Sequence, residues 1–273
     1  MAEKDLTMED DWGAKGAQAT GAQVQKFLKD QIKSLHDKDA TLQNQIDSIN
    51  IAQDEINPQL RAVTDGCFVA FTENSSGNQC AVPWWEWPAK EACGEVANGV
   101  LVLIDGQVPI IVAPTFTHLP WSKNAIAVNP NLGGVFEKAY KDFTGQTRTA
   151  AIMAKGVELF GEVEVAWSSY APAWCDSYAR RHDNTHGSMV GISAGHWWLP
   201  STAELVSIWK HRYAINQCLS VISGAAKLSE GFYWSSTEYS ATLAWGLIFP
   251  TGPLRWQSKV GIYGYVRPVT AFT

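Results

Sequence analysis

No Cys-x-x-Cys pair occurs among the five cysteines, Cys67, Cys80, Cys93, Cys175 and Cys218. Spacing of the zinc-ribbon or zinc-finger kind is therefore missing. Reduced, structural thiols are the default reading. A Cys67–Cys80 or Cys80–Cys93 bridge stays open for a protein that leaves the cell. Basic runs are missing too, and the net charge is −6. Nucleic acid, which is gripped through its phosphates, is a disfavoured partner. No stretch approaches the ~20 consecutive apolar residues of a membrane span. Met1 to Asp11 is acidic and polar, without a charged-then-apolar leader or an early lipoprotein-type cysteine, so Sec-type export is not expected. Asparagine is absent from Gln217 to Thr273, although eleven occur earlier.

Tryptophan, by contrast, is abundant, with 13 in 273 residues. Rigid aromatic side chains in such number suit a framework that wedges loops in place, a core, or a recognition surface. Residues 1–20 are polar and Gly/Ala-rich and read as a flexible arm. Residues 21–62 read as an oligomerisation helix. With Ile32 at heptad position a, the d positions are Leu28, Leu35, Leu42, Ile49 and Ile56, all aliphatic. The a positions are Ile32, Asp39, Ile46, Gln53 and Leu60. That pattern predicts a coiled coil, and isoleucine at the late d positions points to a trimer. A single amphipathic helix packed on its own domain is the alternative. Pro58 marks the exit.

Residues 63–130 read as a β-rich region, either a separate domain or an elaboration of the C-terminal half. A strand is predicted at 66–71, and a hairpin at 99–104 and 107–112 turning on Asp105-Gly106. Trp84-Trp85-Glu86-Trp87 lies between them, as a loop wedged into its own domain or as a stacking platform for sugar. Helices are predicted over 134–156, broken at Thr144-Gly145, and over 171–181. In the first, Val135, Phe136, Ala139, Tyr140 and Phe143 share a face. The strongest helix signal spans 201–213. There Ser201 as N-cap and Glu204 at N3 make a capping box, with Leu205, Ile208, Trp209 and Tyr213 facing the core. Strands return at 233–235, 244–249, about 259–263, and 265–269. The fold class is α+β.

Four segments carry a resemblance. They are Trp197-Trp198-Leu199-Pro200-Ser201-Thr202-Ala203-Glu204-Leu205, Tyr233-Trp234-Ser235-Ser236-Thr237-Glu238-Tyr239, Ala244-Trp245, and Tyr265-Val266-Arg267-Pro268-Val269. From Thr147 to Phe272 the chain resembles the C-type-lectin-like fold of the formylglycine-generating-enzyme branch. Within it, the chain is similar to the variable proteins of diversity-generating retroelements of Bacteroides-type bacteria and their phages. The resemblance implies a C-type-lectin-like domain over 131–273 with a variable region at about 239–264. It implies a templated reverse transcriptase that mutates adenines, so that Asn codons change while scaffold codons stay fixed. The asparagine-free C-terminus fits that history.

By the same resemblance the varied, ligand-binding positions are Thr242, Leu243, Gly246, Ile248, Pro250, Thr251, Pro253, Leu254, Arg255, Trp256, Ser258, Gly261, Ile262, Tyr263 and Gly264. The fixed framework is Trp234, Ser235, Ser236, Trp245, Phe249, Gly252, Tyr265, Arg267 and Pro268. Independently of any family, 250–264 mixes polar, aromatic and Gly/Pro residues without period, as a substitution-tolerant loop does. It is either a binding face or simply a variable hairpin loop. Arg255, Trp256 and Tyr263 are residue types that anchor interfaces. Arg267 beside Pro268 reads as a buried structural arginine.

Catalytic and metal chemistry finds little to work with. Relatives of the formylglycine-generating type oxidise a substrate cysteine through a cysteine pair of their own, and Cys175 and Cys218 lack such neighbours. His182 and His186 could in principle ligate a metal, but Asp183-Asn184 and Gly187 favour a solvated turn. A calcium lectin needs a cluster of oxygen ligands, and only Glu230 and Glu238 are acidic near the C-terminus. With the absent export signal, the resemblance implies a non-enzymatic phage tail receptor-binding adhesin, without cofactor or metal, located in the virion. Its partners would be a host cell-surface protein or glycan, two further copies in a homotrimer, and other tail proteins through the N-terminus. A structural tail or baseplate assembly protein of the same fold is the alternative. A formylglycine-generating-type enzyme is the least favoured reading.

Overall fold

The computed structural model describes residues 26, 28–42, 45, 66–124, 126–128, 135–161, 169–184 and 186–273. The chain divides into two compact units, Met1–Pro58 and Gln59–Thr273. In the first, residues 28–42 form helix α1. Leu28, Ile32, Leu35 and Leu42 are all exposed on it. The remaining heptad positions from Ile46 to Leu60, Pro58 and the arm at 1–20 lie outside the described residues.

The second unit is a mixed α+β structure with two five-stranded sheets. One contains β1 (Cys67–Thr72), β2 (Gln79–Val82), β3 (Ala97–Val102), β4 (Ile110–Val112) and β12 (Val269–Ala271), in the order β12-β4-β3-β1-β2. The other contains β5 (Thr117–Pro120), β8 (Gly231–Glu238), β9 (Leu243–Phe249), β10 (Leu254–Ser258) and β11 (Tyr263–Val266), in the order β10-β9-β8-β11-β5. A ribbon of β6 (Arg180–Asp183) and β7 (Met189–Ile192) stands apart from both. Helices α2 (Trp87–Ala92), α3 (Phe136–Tyr140), α4 (Gly145–Phe160), α5 (Ala171–Ser177), α6 (Thr202–Lys210) and α7 (Arg212–Leu219) complete the unit.

Strand alternation distributes the second sheet's side chains between two cores. Tyr233, Trp245, Leu247, Phe249 and Leu254 pack with Leu205 and Ile208 of α6, Ile215 and Leu219 of α7, and Val69, Val100 and Val112 of the first sheet. Trp234, Ala244 and Val266 pack on the opposite side with Trp121, Ile126, Ile152, Ala171 and Leu199. The sheet carrying the C-terminal motifs is thus clamped from both faces.

A domain boundary at residue 130 does not hold. β12, from the C-terminus, pairs with β4, and β5 pairs with β11, so 63–130 and 131–273 share both sheets. Arg267-Pro268 interrupts the predicted 265–269 strand because the chain changes sheets there. Arg267 is buried and donates to Ala113 O at 2.8 Å, Ala226 O at 2.8 Å and Lys227 O at 3.1 Å.

The β3–β4 hairpin forms, with Val100 opposite Val112 and Val102 opposite Ile110. Its ladder stops short of Asp105-Gly106, where Gln107 N–H donates to Ile104 O at 3.0 Å and Gly106 takes φ 69°. The predicted 171–181 helix ends at Ser177, because residues from Arg180 pair as β6 with β7. Helix α6 starts where the capping box places it, with Ser201 N–H donating to Glu204 Oε2 at 2.8 Å. It ends at Lys210, and Tyr213 on α7 is exposed with the Arg212 guanidinium over its ring. The predicted strand near 259–263 is displaced to β10 at 254–258. Cys80 lies opposite Phe71, four residues along β1 from Cys67, a step of roughly 13 Å that no disulfide spans. Trp87 fills the core against Phe71, so that tryptophan of the Trp84–Trp87 cluster is a wedge.

Candidate functional site: the β9–β10 hairpin and its aromatic strip

The motif Ser235-Ser236-Thr237-Glu238 is a polar strand held wholly inside the protein. Buried polar groups cost stability unless they are hydrogen-bonded, and the side chains of Ser235, Thr237 and Glu238 are tied to separate segments, while the Ser236 hydroxyl has no partner among the described residues. Ser235 Oγ donates to Trp245 O at 2.9 Å, which fastens β8 to β9. Thr237 Oγ1 accepts from Thr202 N–H at 2.9 Å and donates to Asp142 Oδ2 at 2.6 Å, joining the start of α6 to the α3–α4 corner. Arg148 meets the same carboxylate at 2.6 Å. Glu238 accepts from Val128 N–H at 3.1 Å and pairs with the buried Lys259 at 2.6 Å. Lys259 also donates to Ile126 O at 2.6 Å and Ala241 O at 3.0 Å, so all three of its ammonium hydrogens are used. Burial pulls this lysine below its usual pKa, and the Glu238 carboxylate opposes that shift.

On this base stands β10, an edge strand that among the described residues pairs with β9 alone. Its register puts Arg255 opposite Gly246 and Trp256 opposite Trp245. Arg255, Trp256 and Gln257 are exposed, whereas Leu254 is buried. Trp256 stacks on Tyr239 with ring centroids 4.6 Å apart and meets the buried Trp245 edge-on at 5.4 Å. Phe136 of α3 reaches the same Trp245 at 4.9 Å, and Tyr140 lies 6.3 Å beyond Phe136. The result is one continuous aromatic strip, Tyr140–Phe136–Trp245–Tyr239–Trp256. Trp245 is its floor, and Phe136, Tyr140 and Trp256 are 44%, 45% and 41% exposed.

The predicted ligand-binding positions divide by place. Thr242, in the β8–β9 turn, Gly261 and Ile262, in the β10–β11 turn, and Tyr263, the first residue of β11, are exposed at one end of the sheet, linked by Lys259 N–H to Thr242 O at 3.0 Å. Pro250 and Thr251 are exposed at the other end, beyond a five-residue strand of about 17 Å. Arg255 and Trp256 lie between these ends. Leu243, Ile248, Pro253 and Ser258 are half-buried.

Three positions are corrected. Gly246, Leu254 and Gly264 are buried and present nothing to a ligand. A Cβ on Gly246 would stand 2.3 Å from the Phe232 ring and from Tyr233 O. A Cβ on Gly264 would stand 2.8 Å from the Trp234 indole nitrogen. Leu254 is turned into the core against α6 and β9. Gly252 takes φ 88°, and a Cβ there would lie 2.3 Å from the Trp209 ring.

Sequence reasoning missed Gln257 and Val260, both exposed, and the contribution of Phe136 and Tyr140. The i, i+4 spacing that puts the last two on one helix face was legible, but what that face meets was not. Only Ala139 of that helix face is buried, together with a half-buried Phe143.

The other candidate chemistry is dispersed. Cys175 and Cys218 lie in different cores, and burial drives the first thiol well above its usual pKa and the second to about 12. Neither is a thiolate near neutral pH, which is the form that reacts. His182 sits in β6 with Nε2 2.8 Å from Asn74 Oδ1, and His186 lies in the following turn. Among the described residues no group of three or more His, Cys, Asp or Glu side chains could hold a metal ion. No helix among them is long and apolar enough to cross a membrane.

No family model matches this chain, and no curated protein matches it. Among solved structures, a fimbrial protein from Bacteroides ovatus is similar over 60% of this chain and 35% of its own, with 14% identity and a TM-score of 0.39. The chain thus spans about a third of that protein's length.

Proposed function

We propose that the chain is a receptor-binding adhesin of a phage tail. In this reading it is a homotrimer joined through a coiled coil at α1 and carries a C-type-lectin-like head. The β9–β10 hairpin with the 259–263 turn binds a host cell-surface protein or glycan, and a diversity-generating retroelement varies it. The observation that carries the reading is the contrast within one hairpin. Arg255, Trp256 and Gln257 are exposed in succession along β10, on alternate faces, while the residues that hold the hairpin, Trp245, Leu254 and Lys259, are buried. A surface built this way accepts new side chains without losing its scaffold. The exposed aliphatic residues of α1 support the coiled coil, since a stripe of that kind is stabilised by burial against other helices. Three weak sites on one stalk bind a cell far more tightly than one. The aromatic strip supports binding and not chemistry, because it presents large rigid contact area without a nucleophile or base.

The test is the Arg255→Ala, Trp256→Ala double variant. Its cell binding is expected to fall at least tenfold, while its sedimentation remains that of the trimer. Retained cell binding would remove the assigned face.

A further inference from the structure

A cavity of about 210 Å³ opens between the β3–β4 connection, the first turn of α4 and the first turn of α6, away from the β9–β10 hairpin. Ile104, Ile110, Phe143 and Trp198 give it apolar walls, and Glu204 supplies its charged group. Glu204 is 5% exposed. Its Oε2 accepts from Ser201 N–H at 2.8 Å and from Trp198 Nε1–H at 3.2 Å. The backbone of Gly145 closes over that oxygen so tightly that a Cβ would stand 2.2 Å from it. Oε1 is placed differently: no N–H donor and no cation among the described residues reaches it. The arginine near the site, Arg148, is engaged by Asp142 at 2.6 Å. Burial raises the Glu204 carboxyl above its usual pKa, opposed by the hydrogen bonds from Ser201 and Trp198, with a smaller contribution from Asp142 repulsion. A buried carboxylate without a counter-charge is costly, and a ligand cation that meets it relieves the cost.

We propose that this cavity binds a small free primary amine, its ammonium on Glu204 Oε1 and its short alkyl chain against the apolar walls. The volume admits about seven groups the size of a water molecule, which suits a chain of four to six carbons. A primary ammonium brings three donors and the missing positive charge. An anion would meet Glu204, and a neutral alcohol would leave the carboxylate uncompensated.

Butylamine, butanol and butyrate are titrated separately into the full chain, with binding read by saturation-transfer NMR and calorimetry. Butylamine is expected to bind, butanol at least tenfold more weakly, and butyrate not at all. Thr147 is exposed at the cavity mouth, so Thr147→Trp is expected to abolish butylamine binding while the fold and the Glu204 cap remain. Glu204→Gln is expected to weaken it at least tenfold. If the Gln variant fails to fold, the Trp variant still decides. Absence of butylamine binding to the parent at millimolar concentration, or binding unchanged by Thr147→Trp, would overturn the proposal. Binding of Nα-acetyl-lysine amide in place of butylamine would overturn the free-amine reading in favour of a partner's lysine.

Discussion

Gly246 and Gly252 set how freely the hairpin can change. Gly246 is hemmed in by the Phe232 ring and by Tyr233 O, and Gly252 combines φ 88° with the Trp209 ring beneath it. A methyl group at either place has to displace an aromatic ring or a backbone carbonyl, which costs about 1–3 kcal/mol. Gln257, two residues from Arg255 on the same strand, has its side chain in solvent. Gly246→Ala and Gly252→Ala are therefore each expected to lower unfolding free energy by about 1–3 kcal/mol. Gln257→Ala is expected to stay within about 0.5 kcal/mol. Urea denaturation followed by tryptophan fluorescence checks both, and an unaffected Gly246→Ala would mean that the framework is looser than the geometry requires.

At the scale of the element, the hairpin is pinned at its base by Lys259 and Glu238. The pair is sealed from solvent, and the ammonium is also 4.6 Å above the Trp121 ring. Removing one partner leaves a buried charge alone, so Lys259→Met is expected to cost about 3–5 kcal/mol. Replacing both, as Glu238→Leu with Lys259→Met, is expected to cost less than the single change, and thermal unfolding compares the two. Such a pin was not legible in the sequence, because a lysine in a Gly/Ser-rich turn reads as solvated. The capping box at Ser201 and Glu204 was legible because both its halves are local. Strand β10 was not, since three consecutive exposed residues on an edge strand erase the period of two. Helix α7 escaped for another reason: it begins at Arg212 directly after α6, and its N-cap His211 makes no side-chain cap bond. The aromatic strip joins Phe136 to Trp245 across more than one hundred residues, a juxtaposition that only the folded sheet creates.

At the scale of the whole molecule, the strands near residues 67–112 share a sheet with β12, and β5 shares one with the C-terminal motifs. That closure locks the scaffold of the 59–273 unit while leaving β10 at an edge. A diversified adhesin depends on this separation of fixed and changeable positions, and sequencing the 3′ end of the gene across a propagated population tests it. Substitutions are expected to concentrate at exposed positions of the 239–264 segment, Thr242, Arg255, Trp256, Ile262 and Tyr263 among them. Constancy is expected at Trp245, Gly246, Gly252, Leu254, Lys259, Gly264 and Arg267. A uniform sequence, or changes spread evenly over buried and exposed codons, would contradict a diversified binding face.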